Sequence, residues 1–120
     1  GLVGSEMCIR DSCYESAIRL NPHYIKAFED YARYLIQRNE FAEAQRKLRK
    51  ALKTEPENVV MLNLMFYVSY ILVKDNVCEY NVKETISFAN SIEKIAPEKF
   101  EYPEQKLELE RLLADSSESE

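Results

Sequence analysis

Apolar positions recur along most of this chain with the spacing of one helix face. Between Tyr24 and Arg38 they fall at Ala27, Phe28, Tyr31, Ala32 and Leu35, which predicts an amphipathic helix. Asn39-Glu40 reads as a turn, since asparagine tolerates the left-handed conformation that ends many helices. A second helix is predicted over Phe41–Thr54, with Phe41, Ala44, Leu48, Ala51 and Leu52 on one side. Its other side carries Arg46, Lys47, Arg49, Lys50 and Lys53, placed late, where the helix dipole favours positive charge. Asn58 can cap a third helix running from Val59 to about Lys74. The stretch Asn58–Val73 has no charge, but it falls short of the ~20 residues of a membrane span and holds Asn63, Ser69 and two tyrosines. It is expected to be a well-buried core helix. A linker, DNVCEYN, follows at 75–81. Asn81 with Glu84 reads as a capping box that opens a helix from Val82 to Ala96, with Ile86, Ala89, Ile92 and Ile95 on its apolar stripe. The phrase EKFEY leads to Pro103, a good first helical residue. The last helix, to Ala114, bears Leu107, Leu109, Leu112 and Leu113; residues 115–120, acidic and serine-rich, are expected to be a disordered tail.

Proline and glycine punctuate this pattern. Pro22, Pro56 and Pro97 each close a similar phrase, AIRLNP, ALKTEP and SIEKIAP, and proline cannot continue a helix. Pro22 and Pro56 are 34 residues apart, and Pro56 and Pro97 are 41 apart. Both glycines, Gly1 and Gly4, lie in the first four positions, so hairpin turns are scarce and the body reads as all-α. Paired helices at a 34-residue period are the signature of a stacked repeat.

Residues 13–97 resemble tetratricopeptide repeats (TPR). Ile25–Asn58 matches one complete unit: Phe28 is the early aromatic, Ala32 the small residue at the helix crossing, Ala44 and Ala51 the two alanines of the second helix, and Pro56 the close. CYESAIRLNP, within 13–22, matches the end of a preceding partial unit, with Ala17 and Pro22 in place of Ala51 and Pro56. The unit at 59–98 diverges. It has Phe66 for Ala32, Thr85 for Ala44 and Ile92 for Ala51, and seven extra residues, which either lengthen the helices or form a loop around Asp75–Tyr80. The resemblance implies an α-solenoid of helix-turn-helix repeats, closed by a capping helix at 103–114. It also implies a concave groove that takes a peptide or a partner helix. In the complete unit the groove positions are Lys26, Glu29, Asp30, Arg33, Ile36 and Gln37; in the next they are Val60, Asn63, Leu64, Tyr67, Tyr70 and Ile71. Glu29 and Asp30 beside Lys26 and Arg33 would repel an acidic ligand tail, so a clamp for a chaperone's terminal carboxylate is not expected. The apolar half of the groove has an alternative role, as the seat of the terminal helix.

Composition narrows the function. Hydrophobic residues are 46% and charged residues 31%, as in ordinary folded domains, and the net charge of −5 argues against a nucleic-acid partner and an anionic membrane. Cys8, Cys13 and Cys78 stand apart and His23 is the one histidine, so neither a disulfide framework nor a metal site is expected. A glycine-free body has no phosphate loop or dinucleotide fingerprint. The expectation is therefore a cytoplasmic interaction scaffold with a protein or peptide partner, no cofactor, and no catalysis of its own. The alternative is a regulatory or substrate-docking arm of an enzyme whose catalytic domain lies upstream.

The opening stretch, GLVGSEMCIRDS, shares no period with the body. It is similar to the translation of a transposase adapter used in sequencing libraries. That resemblance implies that residues 1–12 are not native, that the protein proper starts near Cys13, and that further repeats precede it. It also implies an exposed apolar side around Tyr14, Ala17 and Ile18.

Overall fold

The computed structural model describes residues 16, 18–20 and 25–118. Among these there is no strand, and each helix packs against its neighbours in sequence. The elements are α1 (Ile25–Gln37), α2 (Phe41–Thr54), α3 (Val59–Asp75), α4 (Glu79–Ile95), a single 3-10 turn at Pro97–Lys99, and α5 (Pro103–Glu118). No helix among the described residues is long and apolar enough to cross a membrane. Residues 1–12, Cys13, Tyr14, Ala17, Pro22, His23 and Tyr24 lie outside the described residues, and so do the expectations placed on them.

Local chemistry accounts for the α1–α2 hairpin. Asn39 sits at φ 61°, and the amides of Asn39 and Glu40 bond the carbonyls of Ile36 and Leu35, both at 2.9 Å. This paired closure satisfies carbonyls that the helix end leaves open, and asparagine enters the left-handed region at lower strain than most residues. The predicted stripe of α1 is buried, joined by Tyr34, which the stripe omitted. α2 spans the predicted limits, and Ala44, Leu48 and Ala51 are wholly buried. Lys47 departs from its predicted place on the charged outer face. It is only 9% exposed, with its ammonium 5.5 Å from the centre of the Tyr31 ring and 3.7 Å from Glu43. A long aliphatic stem lets a lysine cover apolar surface in this way.

Asn58 caps α3 as predicted, its side-chain oxygen accepting from the Met61 amide at 3.1 Å. α3 is buried nearly all round because it serves two cores. Met61, Met65 and Val68 join α1 and α2, whereas Phe66 and Val73 join Val82, Ile86 and Ala89 of α4 and Leu109 of α5. The predicted capping box at Asn81 does not form. α4 starts a turn earlier, at Glu79, with Cys78 extended before it (φ −145°, ψ 155°). Burial of Val82 draws that first turn onto α3. Asn81 lies inside the helix and donates to the Asn76 carbonyl (3.3 Å), and Glu84 turns outward to Arg49. α3 and α4 have 17 residues each, against 13 in α1 and 14 in α2, so longer helices absorb all seven extra residues.

Three smaller expectations also change. Ile95 is 41% exposed, because α4 ends there, just before Pro97, and the chain turns away. α5 continues through Glu118 into the stretch expected to be a tail. Ile18 is half-buried against the α1–α2 core rather than left open, although Leu20 is exposed.

Candidate interaction surface

Four of the six groove positions of α1, Lys26, Glu29, Asp30 and Arg33, form an ion ladder along the helix. Lys26 lies 3.2 Å from Asp30 and 3.8 Å from Glu29, and Arg33 lies 3.1 Å from the same Glu29. The hydrogen bond to Asp30, then the charge of Glu29, raises the Lys26 pKa above its ordinary value. Ile36 is half-buried against the first core, and Gln37 is exposed.

The six positions of α3 divide. Val60 is exposed, and Tyr67, Tyr70 and Ile71 are half-buried. Asn63 and Leu64 are buried, which places neither on an open groove. Leu64 belongs to the core shared with α1 and α2. The Asn63 amide nitrogen donates to the Lys99 carbonyl (3.0 Å), and its oxygen accepts from the Glu101 amide (3.2 Å). The lead-in to α5 is therefore tied to the middle of α3.

That lead-in covers much of the apolar half. Phe100 meets Phe66 edge-on at 5.4 Å between ring centres, and Tyr102 lies 5.8 Å from Phe66 and 5.6 Å from Tyr67. Burial, then the charge of Glu101, pushes the Tyr102 phenol above its ordinary pKa, and Arg33 of α1 opposes that rise. Arg33, Tyr67 and Tyr102 thus share one electrostatic neighbourhood. Further along α3, the Tyr70 hydroxyl donates to the Glu108 carboxylate of α5. Lys74 sits 4.7 Å over the Tyr70 ring and 3.1 Å from Glu108. The Tyr70 hydrogen bond, then the Lys74 hydrogen bond, holds the Glu108 carboxyl below the usual carboxylate range. Phe100, Glu101, Tyr102 and Glu108 are the residues that sequence reading missed here. The available signal was the alternation F-E-Y just before Pro103, an extended segment with two aromatics on one side.

A second concavity lies among α2, α3 and α4, a cleft of about 370 Å³. Arg49 spans it to Glu84 with two bonds, 2.8 and 3.0 Å, and Gln45 donates to the Ser69 hydroxyl at 3.0 Å. The hydrogen bond to Arg49 lowers the Glu84 pKa, and the same contact raises that of Arg49. These polar groups satisfy one another.

No family model matches the chain, and no curated protein or solved structure matches it. Among the described residues no group of three His, Cys, Asp or Glu side chains is placed to hold a metal ion. Half-buried tyrosines beside a charged helix offer apolar area with hydrogen-bonding edges, the chemistry that anchors protein interfaces.

Proposed function

We propose that this chain is a TPR-like interaction module that binds a peptide or a partner helix on the face shared by α1 and α3. The proposal includes a cytoplasmic setting, where isolated cysteines stay reduced. The observation that carries it is the state of α3's outward side. Val60, Tyr67 and Ile71 keep part of their surface open, beside an α1 face whose charges are already paired with one another. A partner there gains apolar contact without stripping water from an unpaired ion. The repeat geometry is supported by Ala32, Ala44 and Ala51, each with no exposed surface, at the positions where the resemblance requires small residues for close helix crossings. Phe66, Thr85 and Ile92 are likewise buried at the equivalent places in the longer pair.

The test is selection of peptides from a displayed library against the chain, followed by affinity measurement by fluorescence anisotropy. Dissociation constants on the order of micromolar are expected. Tyr67→Ala and Ile71→Ala each weaken binding by about tenfold or more, the scale of an interface anchor. Lys53→Ala, on α2's outer face, leaves it unchanged. Failure to select any peptide, or affinities indifferent to Tyr67 and Ile71, overturns the proposal.

A further inference from the structure

The lead-in to α5 sits on α3 in the manner of a bound peptide. Its backbone is extended at Phe100 (φ −71°, ψ 121°). Residues two apart on an extended chain face the same way. Phe100 and Tyr102 accordingly both meet Phe66, while Glu101 between them is exposed. The Lys99 carbonyl and the Glu101 amide both bond the one Asn63 side chain, a contact that reads backbone rather than side-chain identity. Pro97 and Pro103 bracket the segment, so neither neighbouring helix can extend across it.

We infer that the α3 face around Asn63, Phe66 and Tyr67 is a receptor for an extended aromatic–x–aromatic segment, and that Phe100-Glu101-Tyr102 is its resident, displaceable occupant. The inference rests on the groove proposed above and names the partner class for it: a peptide with two aromatic residues separated by one. Such a partner competes with a tethered segment whose effective concentration is in the millimolar range, about that of a short flexible linker. A partner in trans therefore needs contacts beyond the resident three residues, and Val60 and Ile71 on the same helix supply open apolar surface for them.

The experiment supplies the resident segment in trans. A labelled peptide, EKFEYPEQ (residues 98–105), is titrated with the full chain and with the chain carrying Phe100→Ala and Tyr102→Ala. The double variant is expected to bind the peptide at least about tenfold more tightly than the unaltered chain, because its own occupant no longer competes. Adding Asn63→Ala removes that gain, and a peptide with alanine for both aromatics does not bind. Equal binding to the two chains, or no binding to a helical double variant, overturns the inference.

Hydrogen exchange on the unaltered chain keeps the idea testable if the double variant unfolds. The Glu101 amide is expected to exchange by local opening, independent of low denaturant, while Ala89 in the α4 core follows global unfolding. Joint exchange of the two amides overturns the inference. Library peptides that bind both chains alike through Tyr67 and Ile71 leave the groove standing and remove the resident occupant. Trans binding of EKFEYPEQ with no library peptide leaves the receptor and removes the wider groove.

Discussion

Asn63 occupies the middle of an apolar helix, where a polar side chain without partners is costly. Its two bonds to the backbone of residues 99 and 101 resolve that cost and fix where the chain crosses α3. Asn63→Leu is expected to destabilise the chain by about 1–3 kcal/mol through the loss of both bonds. A lower urea midpoint with an unchanged slope would show it, and an unchanged midpoint would show that the amide contributes nothing. Ala44 presents the opposite problem: it has no exposed surface and lies in the core shared by α1, α2 and α3. Ala44→Leu is expected to cost about 1–3 kcal/mol by overpacking, read from the same titration.

The helices differ in what starts them. α3 begins on a side-chain cap, and α4 begins on an extended Cys78 with no side-chain cap bond, its first turn held by the burial of Val82. Asn58→Ala should therefore lower stability by about 1 kcal/mol, the usual cost of a lost cap. Asn81→Ala removes one exposed bond to Asn76 and should change the thermal midpoint much less. Equal losses would mean that Asn81 supports the start of α4 after all. α1 ends by backbone geometry at Asn39, so Asn39→Val, which places a β-branched residue at positive φ, is expected to cost about 1–2 kcal/mol. Thermal unfolding measures this directly.

At the scale of the molecule, two ion contacts among the described residues tie helices that the sequence separates. Arg49 and Glu84 join α2 to α4, and Glu108 joins α5 to Tyr70 and Lys74 of α3. Both carboxyls are held below their ordinary pKa. A depressed folded pKa contributes stability that is present above the unfolded carboxylate range. That stability is lost as pH falls through the lower folded value. Arg49→Met should therefore lower the urea midpoint at pH 7, and the gap from the unaltered chain should narrow by pH 3. A gap that persists at pH 3 would assign the effect of Arg49 to packing. Both pairs are partly exposed, so high salt should reduce the gap at pH 7 as well.

Much of this architecture was legible along the chain because it rests on local physics. The limits of α2, the turn at Asn39, the cap at Asn58 and the buried stripe of α1 follow from apolar spacing and the conformational habits of asparagine and proline. The burial of Ala32, Ala44 and Ala51 follows from their place on those stripes. What only tertiary structure decided involves partners distant in sequence. Glu84 had a local capping role available and took Arg49, 35 residues away, because two bonds to a guanidinium outweigh one to a backbone amide. Asn63, Tyr67 and Tyr70 read as one outward face of α3. The chain returns across that face 36 to 38 residues later and covers part of it. Periodicity states which side of a helix is apolar. Which segment covers that side depends on where the rest of the chain can reach.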